Sequence, residues 1–438
     1  MGFHKTAASL ILGLLLVSGN AFASDNWPQF RGPNGDGTSN STGLPTKWGP
    51  ADHVKWKTDI HGKAWSSPVV FGDQVWVTTA TVDGKELSVL TLDRESGKII
   101  RDQKLFDIDK PQYCIPFNSY ASSTPAIEEG RIYVTFGAPG TACLDTKNGH
   151  VLWTRTDFIC NHYRAPGSSP LIYKDMLIMN YDGSDHQFIV ALDKHNGGTL
   201  WRTERDIDFK DVNADGKPRG DGDFRKAFSS PRVFTINGHD QILSLGSKAL
   251  YSYDAMTGKE LWKIGFKDSH SGSDTPVVAD GMIFLGTGHG GSEMIGIRPD
   301  PSGIVNDGSI VWRTHKGVPT RSSPLVVNGL LYMTTDAGIA TCLDAKTGEQ
   351  VWRERIDDQY SASPIYADGK VYFFGQDGST TVLAAGRRFE VIAKNSLADG
   401  SPAIPELQGV AGGIMATPAV AGKAIYIRTR ASLYRLEN

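Results

Sequence analysis

Residues 143–153 read CLDTKNGHVLW, and the phrase returns as ALDKHNGGTLW at 191–201, SYDAMTGKELW at 252–262 and CLDAKTGEQVW at 342–352. Asp, Gly and Trp keep constant offsets throughout: Asp145/Gly149/Trp153, Asp193/Gly197/Trp201, Asp254/Gly258/Trp262 and Asp344/Gly348/Trp352. Asp opens a turn by binding nearby backbone and Gly accepts positive φ, so each copy predicts two strands joined by a tight hairpin. The Trp then fills a gap between neighbouring units. Ahead of each copy stands a second signal, a proline, an apolar pair and a hairpin dipeptide, as in SPLVVNGLLYM at 323–333. Its prolines, Pro68, Pro125, Pro170, Pro231, Pro276, Pro324, Pro364 and Pro418, recur about every 50 residues.

Two hairpins per unit and eight units predict an all-β, eight-bladed β-propeller of four-stranded antiparallel sheets over residues 54–438. Seven blades is the alternative count. The closing phrase weakens in the first unit, where Arg101 replaces Trp, in the fifth (IGIRPDPSG, 295–303) and in the seventh (LAAGRRFEV, 383–391). The last unit, from Ala416, stops one strand short, and HVKWKT at 53–58 supplies the missing strand with Trp56 in the Trp slot. Closure by an N-terminal strand removes the open edge. The turn-rich segment 24–53 is expected to wrap the outside.

Composition agrees with one large β domain. The 438 residues include 49 Gly and 22 Pro, with 39% hydrophobic residues, enough for a packed core. A net charge of −3 argues against a nucleic-acid partner held by a strongly cationic surface. Lys5, the apolar run Ala7–Val17 and Ala21-Phe22-Ala23 form a signal-peptide pattern, predicting removal of residues 1–23 and export, to the periplasm or beyond. No cysteine follows the run, so no lipid or membrane anchor is expected, and the mature chain is expected to be a monomer.

The phrases resemble the tryptophan-docking repeats of the PQQ-like, quinoprotein-type β-propellers, over essentially all of the chain after the leader. WPQFRGPNGDGTS (27–39) and CNHYRAPGSSP (160–170) are similar to an exported bacterial subgroup carrying this propeller alone. The resemblance implies the fold, shared by quinone-dependent alcohol dehydrogenases and by non-catalytic, BamB-like scaffolds. The dehydrogenases carry adjacent cysteines, a Glu/Asn/Asp calcium set and a catalytic Asp. Here Cys114, Cys143, Cys160 and Cys342 are far apart in sequence, and no calcium set can be placed residue by residue. The leading expectation is therefore a non-catalytic module binding a ligand or a protein, with a PQQ-dependent alcohol or sugar oxidoreductase as the alternative.

Residues just ahead of each anchor proline are expected around one mouth of the central channel. These are Trp65, Tyr120, His162, Tyr163, Arg164, Arg225, Lys226, Phe228, His270, Arg321, Tyr360 and Met415. Cations and aromatics together suit a small anionic, planar ligand, PQQ among them, or a protein partner. Stacking of a sugar on Trp65, Tyr120 and Tyr360 is a third possibility. The opposing reading is that these groups pair locally around a wet channel.

Asp211, Asn213, Asp215 and Gly216 match the start of an oxygen-rich calcium loop. Gly222 occupies the position of the bidentate Glu, flanked by Asp221 and Asp223, which leaves a structural calcium or a solvated acidic turn. Cys143 and Cys342 share one slot in distant blades and read as buried singles. Cys114 and Cys160 occupy near-equivalent places in neighbouring blades, leaving a disulfide or two free thiols. The histidines form no metal-ligand spacing, and GTGHGG (286–291) is a glycine-rich turn rather than a phosphate loop.

Overall fold

The computed structural model describes residues 25–236, 238–356, 359–400 and 402–438; the expected leader, 1–23, lies outside them. Eight four-stranded antiparallel sheets surround one axis, so the propeller has eight blades. Blade 1 comprises Val69–Phe71, Gln74–Ala80, Glu86–Asp93 and Ile99–Asp107, from axis to rim. Blades 2 to 7 begin at Ala126, Leu171, Arg232, Val277, Leu325 and Ile365. Blade 8 joins Ala419–Ala421, Ala424–Arg428 and Ser432–Leu436 to Val54–Asp59, which closes the ring as its outermost strand. The weak fifth unit is a full blade, and its Trp312 is one more member of the repeated series.

The repeated residues lock each blade to the next. The indole Nε1 of Trp56, Trp153, Trp262, Trp312 and Trp352 donates to the carbonyls of Arg94, Lys194, Gly303, Ala345 and Gly386, at 2.9–3.2 Å, each in the following blade. The hairpin glycine of that blade commonly forms the Trp seat: a Cβ on Gly97, Gly197 or Gly348 would stand 2.5–2.8 Å from the ring of Trp56, Trp153 or Trp312. In the first unit Arg101 takes the Trp position and rests on Gly149.

The segment expected to wrap the outside takes another course. Val70 in blade 1 exchanges backbone hydrogen bonds with Trp27, and Ile127 in blade 2 donates to the Pro28 carbonyl. Arg232 in blade 4 reaches the Asn34 carbonyl, and Arg31 donates to Pro324 ahead of blade 6 at 2.7 Å. Thr38–Ser39 then adds a parallel strand to the innermost strand of blade 7. So few residues reach blades on opposite sides only by crossing the axis. Beyond it the chain runs outward along blade 7, from Asp368 to Asn395, before entering blade 8. The cause is burial: Trp27 and Arg31 are almost wholly enclosed, and Arg31 is packed close to Gly37.

Candidate functional site

With one end of the axis crossed by the N-terminal segment, the channel becomes a cup of about 530 Å3. Phe30 forms part of its floor, beside hydroxyls from the innermost edges of the blades and beneath the loops between blades. The hydroxyl belt has a simple origin, because every anchor proline is preceded by Ser or Thr. The amides of Ser67, Thr124 and Ser169 donate to the hydroxyls of Thr124, Ser169 and Ser230 at 2.9 Å. The amides of Thr275, Ser323 and Ser363 continue to Ser323, Ser363 and Thr417 at 2.9–3.0 Å. The belt thus forms two arcs, and the hydroxyls that begin them, Ser67 and Thr275, lack a partner among the described residues.

Above the belt the cup is cationic and aromatic. Arg164 and Lys226 both pair with Asp223, Arg164 at 2.6 Å. Asp223 is the only carboxylate among the described lining residues. Arg164 is aimed by strained backbone: Tyr163, Arg164 and Ala165 have φ of 35°, 93° and 74°, held by Asn118, which donates to the Arg164 carbonyl at 2.8 Å. Arg321 lies 3.3 Å from Asp336 and 4.4 Å above the ring of Phe117. Phe117 precedes blade 2 and Arg321 precedes blade 6, on opposite sides of the ring, so the 108–124 loop roofs part of the cup. Trp65, Phe228 and Met415 complete the apolar wall.

His270 and His289 face each other across a two-strand extension of blade 5, ring centroids 6.2 Å apart. The four glycines of GTGHGG permit this, since Cβ atoms on them would strike the 268–274 segment. Burial, then the neighbouring His289 and Lys226, pushes His270 down to about 4; burial and Arg321 depress His289. Both imidazoles are therefore neutral at neutral pH.

The remaining sequence candidates are engaged elsewhere. His162 is buried and its Nε2 accepts the Ala138 amide at 2.9 Å; Arg225 is bidentate to Asp211 at 2.8–2.9 Å. Tyr120 donates to the Gln112 carbonyl and lines a smaller cavity, while Tyr360 is enclosed between strands. Of the three aromatics the sugar-stacking reading needs, only Trp65 lines the cup. Sequence reasoning missed Phe30, Phe117, His289 and the hydroxyl belt. The Ser/Thr before every anchor proline was a signal for the belt; the cross-ring contacts had none.

The calcium and disulfide readings also meet other arrangements. Asp211 is committed to Arg225, and Asp223 to Arg164 and Lys226, while Asp215 accepts the Lys217 amide. Asn213 sits in a local turn, its amide on the Lys217 carbonyl, and Asp221 takes φ 54° in a short turn. Among the described residues no group of three His, Cys, Asp or Glu is placed to hold a metal. Of the two readings left open for Cys114 and Cys160, a disulfide or two free thiols, the structure has two free cysteines. Cys114 Sγ lies 3.4 Å from the Ile115 carbonyl, and Cys160 Sγ 3.8 Å from that of His186, each turned into its own surroundings.

A PQQ-type repeat model described as outer membrane protein assembly factor BamB matches residues 88–208, 185–300 and 302–389. The chain belongs to this family. It is 24% identical over 266 residues to the tetrathionate hydrolase of Acidithiobacillus ferrooxidans, covering 57% of this chain and 48% of the hydrolase. It is 29% identical over 156 residues to the quinoprotein ethanol dehydrogenase of Pseudomonas putida, covering 34% of this chain and 24% of that enzyme. The chain therefore spans about half of the first relative and a quarter of the second. The crystal structure of BamB from Moraxella catarrhalis superposes with a TM-score of 0.56 at 14% identity, over 87% of this chain and 99% of that one. At that identity the likeness concerns the fold alone.

Proposed function

We propose that this chain is an exported, non-catalytic PQQ-like propeller whose cup binds a small molecule with a flat apolar body and an anionic edge. The observation that carries the reading is the lining: Arg164, Lys226 and Arg321 face one cavity whose walls and floor are Trp65, Phe117, Phe228 and Phe30. Guanidinium and ammonium groups take carboxylates, and aromatic faces take a planar body. Tetrathionate, acted on by the hydrolase relative, is likewise an anion.

PQQ fits the shape and charge of this lining as a planar tricarboxylate. The calcium that would accompany it does not, because the one lining carboxylate, Asp223, is already shared by two cations. No catalytic step is therefore assigned. The test is an absorbance titration of the purified protein with PQQ, with and without calcium, followed by dye-linked alcohol oxidation. The expected result is binding that does not need calcium and no turnover. Alcohol-dependent dye reduction would establish the oxidoreductase instead.

A protein partner at the same face is the second reading. It is favoured by apolar side chains left exposed on the loops around the mouth, Val82, Tyr113, Ile159 and Val212. Failure of planar anions to bind, with a specific partner recovered from cell envelope and lost on Ile159→Asp, would decide for it.

A further inference from the structure

The junction between blades 8 and 1, where the ring closes, holds three cationic side chains that no carboxylate among the described residues neutralises. Lys63, Arg428 and Arg430 are only 7%, 3% and 7% exposed, and none pairs with a carboxylate among the described residues. Arg428 donates to Ser66 Oγ at 2.8 Å and to the Thr78 carbonyl at 2.7 Å. Arg430 donates to the Leu407 carbonyl at 2.8 Å and to Met415 Sδ at 3.6 Å, and its Nε has no partner among the described residues. Lys63 donates to the Pro116 carbonyl. All these acceptors are neutral. Lys63 and Arg430 stand 5.5 and 5.8 Å from the ring of Trp65.

The junction between blades 3 and 4 shows a buried guanidinium with its counter-charge, whereas Arg31 and Arg232, single guanidiniums on the axis, rest on backbone carbonyls. At that junction Arg205 donates to both oxygens of Asp182 at 2.7 Å, with Asn180 and Ser244 completing its shell. Burying a charge without a counter-charge is costly, so three together point to an anion supplied from outside. Burial alone pushes Arg428 down to about 9, with no carboxylate acting on it. The closure of blades 8 and 1 also interrupts the hydroxyl belt and leaves Ser67 Oγ without a partner among the described residues. Two cavities flank it: the cup, at Trp65, Ser67 and Met415, and a second of about 280 Å3 at Lys63, and both share Ile115 and Asn118.

We propose that the closure of blades 8 and 1 is an oxyanion subsite, in which Lys63, Arg430 and Ser67 receive a carboxylate-, sulfate- or phosphate-type group beside Trp65. The proposal deepens the cup reading and rests on it where the group belongs to the cup's own ligand; a free inorganic anion would use the same donors. Arg428, behind Ser66, adds charge to the subsite.

The test is calorimetric titration of the full chain with sodium sulfate and, separately, with PQQ, on the wild type, Lys63→Gln, Arg430→Gln and Arg430→Lys. Thermal melts confirm that each variant is folded. Both glutamine variants are expected to weaken at least one probe on the order of tenfold or more, with Arg430→Lys retaining part of the affinity. Loss confined to PQQ assigns the subsite to the cup ligand, and loss for sulfate alone assigns it to an independent inorganic anion. PQQ binding left unchanged in all variants, with sulfate unbound, overturns the subsite but leaves the cup reading standing. If neither probe binds the wild type, both readings fall.

Discussion

The glycine that ends each hairpin has two duties. Gly348 adopts φ 74°, and a Cβ there would also enter the ring of Trp312. Gly72 has φ 58° with nothing nearby. Gly348→Ala is expected to cost about 2–4 kcal/mol, from backbone strain plus overpacking, against about 1 kcal/mol for Gly72→Ala. Urea denaturation separates them, and equal losses would reject the seat. The indoles divide in the same way: Trp153 donates to a carbonyl, whereas Trp201 Nε1 has no partner among the described residues. Trp153→Phe should therefore lose about 1 kcal/mol more than Trp201→Phe. His162 supplies a pH test. Burial holds it down to about 4, and its Nε2 must stay unprotonated to accept the Ala138 amide. Its contribution is complete above about 6.5 and is lost as pH falls towards 4, because the unfolded chain takes up the proton first. About 3 kcal/mol is at stake, and melts of His162→Gln should fall less steeply over that window. These repeated glycines and tryptophans were legible in sequence. The burial of His162 and Tyr360 was not, because a position before an anchor proline fixes a height along the axis and leaves open whether the side chain turns inward.

At the scale of elements, the strands repeat and the loops between blades differ, and the loops make the site. The 108–124 loop, between blades 1 and 2, carries Phe117 to Arg321 on the far side, while its Tyr113 packs on Tyr163, 5.5 Å between rings. Shortening that contact should open the roof without touching a blade. Phe117→Ala is expected to raise the release rate of a cup ligand on the order of tenfold with little change in melting temperature. Stopped-flow displacement measures it, and an unchanged rate with a lowered melting point would make Phe117 purely structural. The calcium-like stretch from Asp211 shows why loop chemistry is hard to read from spacing. Its residue types suit a cation, yet arginines from the same loop and from the mouth reach the acids first.

At the scale of the whole molecule, one segment decides whether the axis is a channel or a cup. Trp27–Thr38 crosses it, with Arg31 and Arg232 buried there and pushed down to about 10. Deleting residues 25–41 is expected to lower the melting temperature by several degrees and to abolish binding of planar anions, whereas Phe30→Ala should weaken binding while leaving the fold intact. Unchanged affinity in both would remove the floor from the site. By itself the sequence determined an all-β propeller closed by the Val54–Asp59 strand, with eight blades ahead of seven, because turn chemistry and strand alternation are local and recur along the chain; the structure fixed the count at eight. It also determined that a proline-anchored edge faces the axis. Only the tertiary structure decided that the N-terminal segment closes the cup, that Phe117 meets Arg321, and that Lys63, Arg428 and Arg430 gather at the closure without a carboxylate. Those pairings join residues from distant parts of the chain, such as Arg31 with Pro324 and Phe117 with Arg321, through contacts that occur once, and a single contact leaves no period to read.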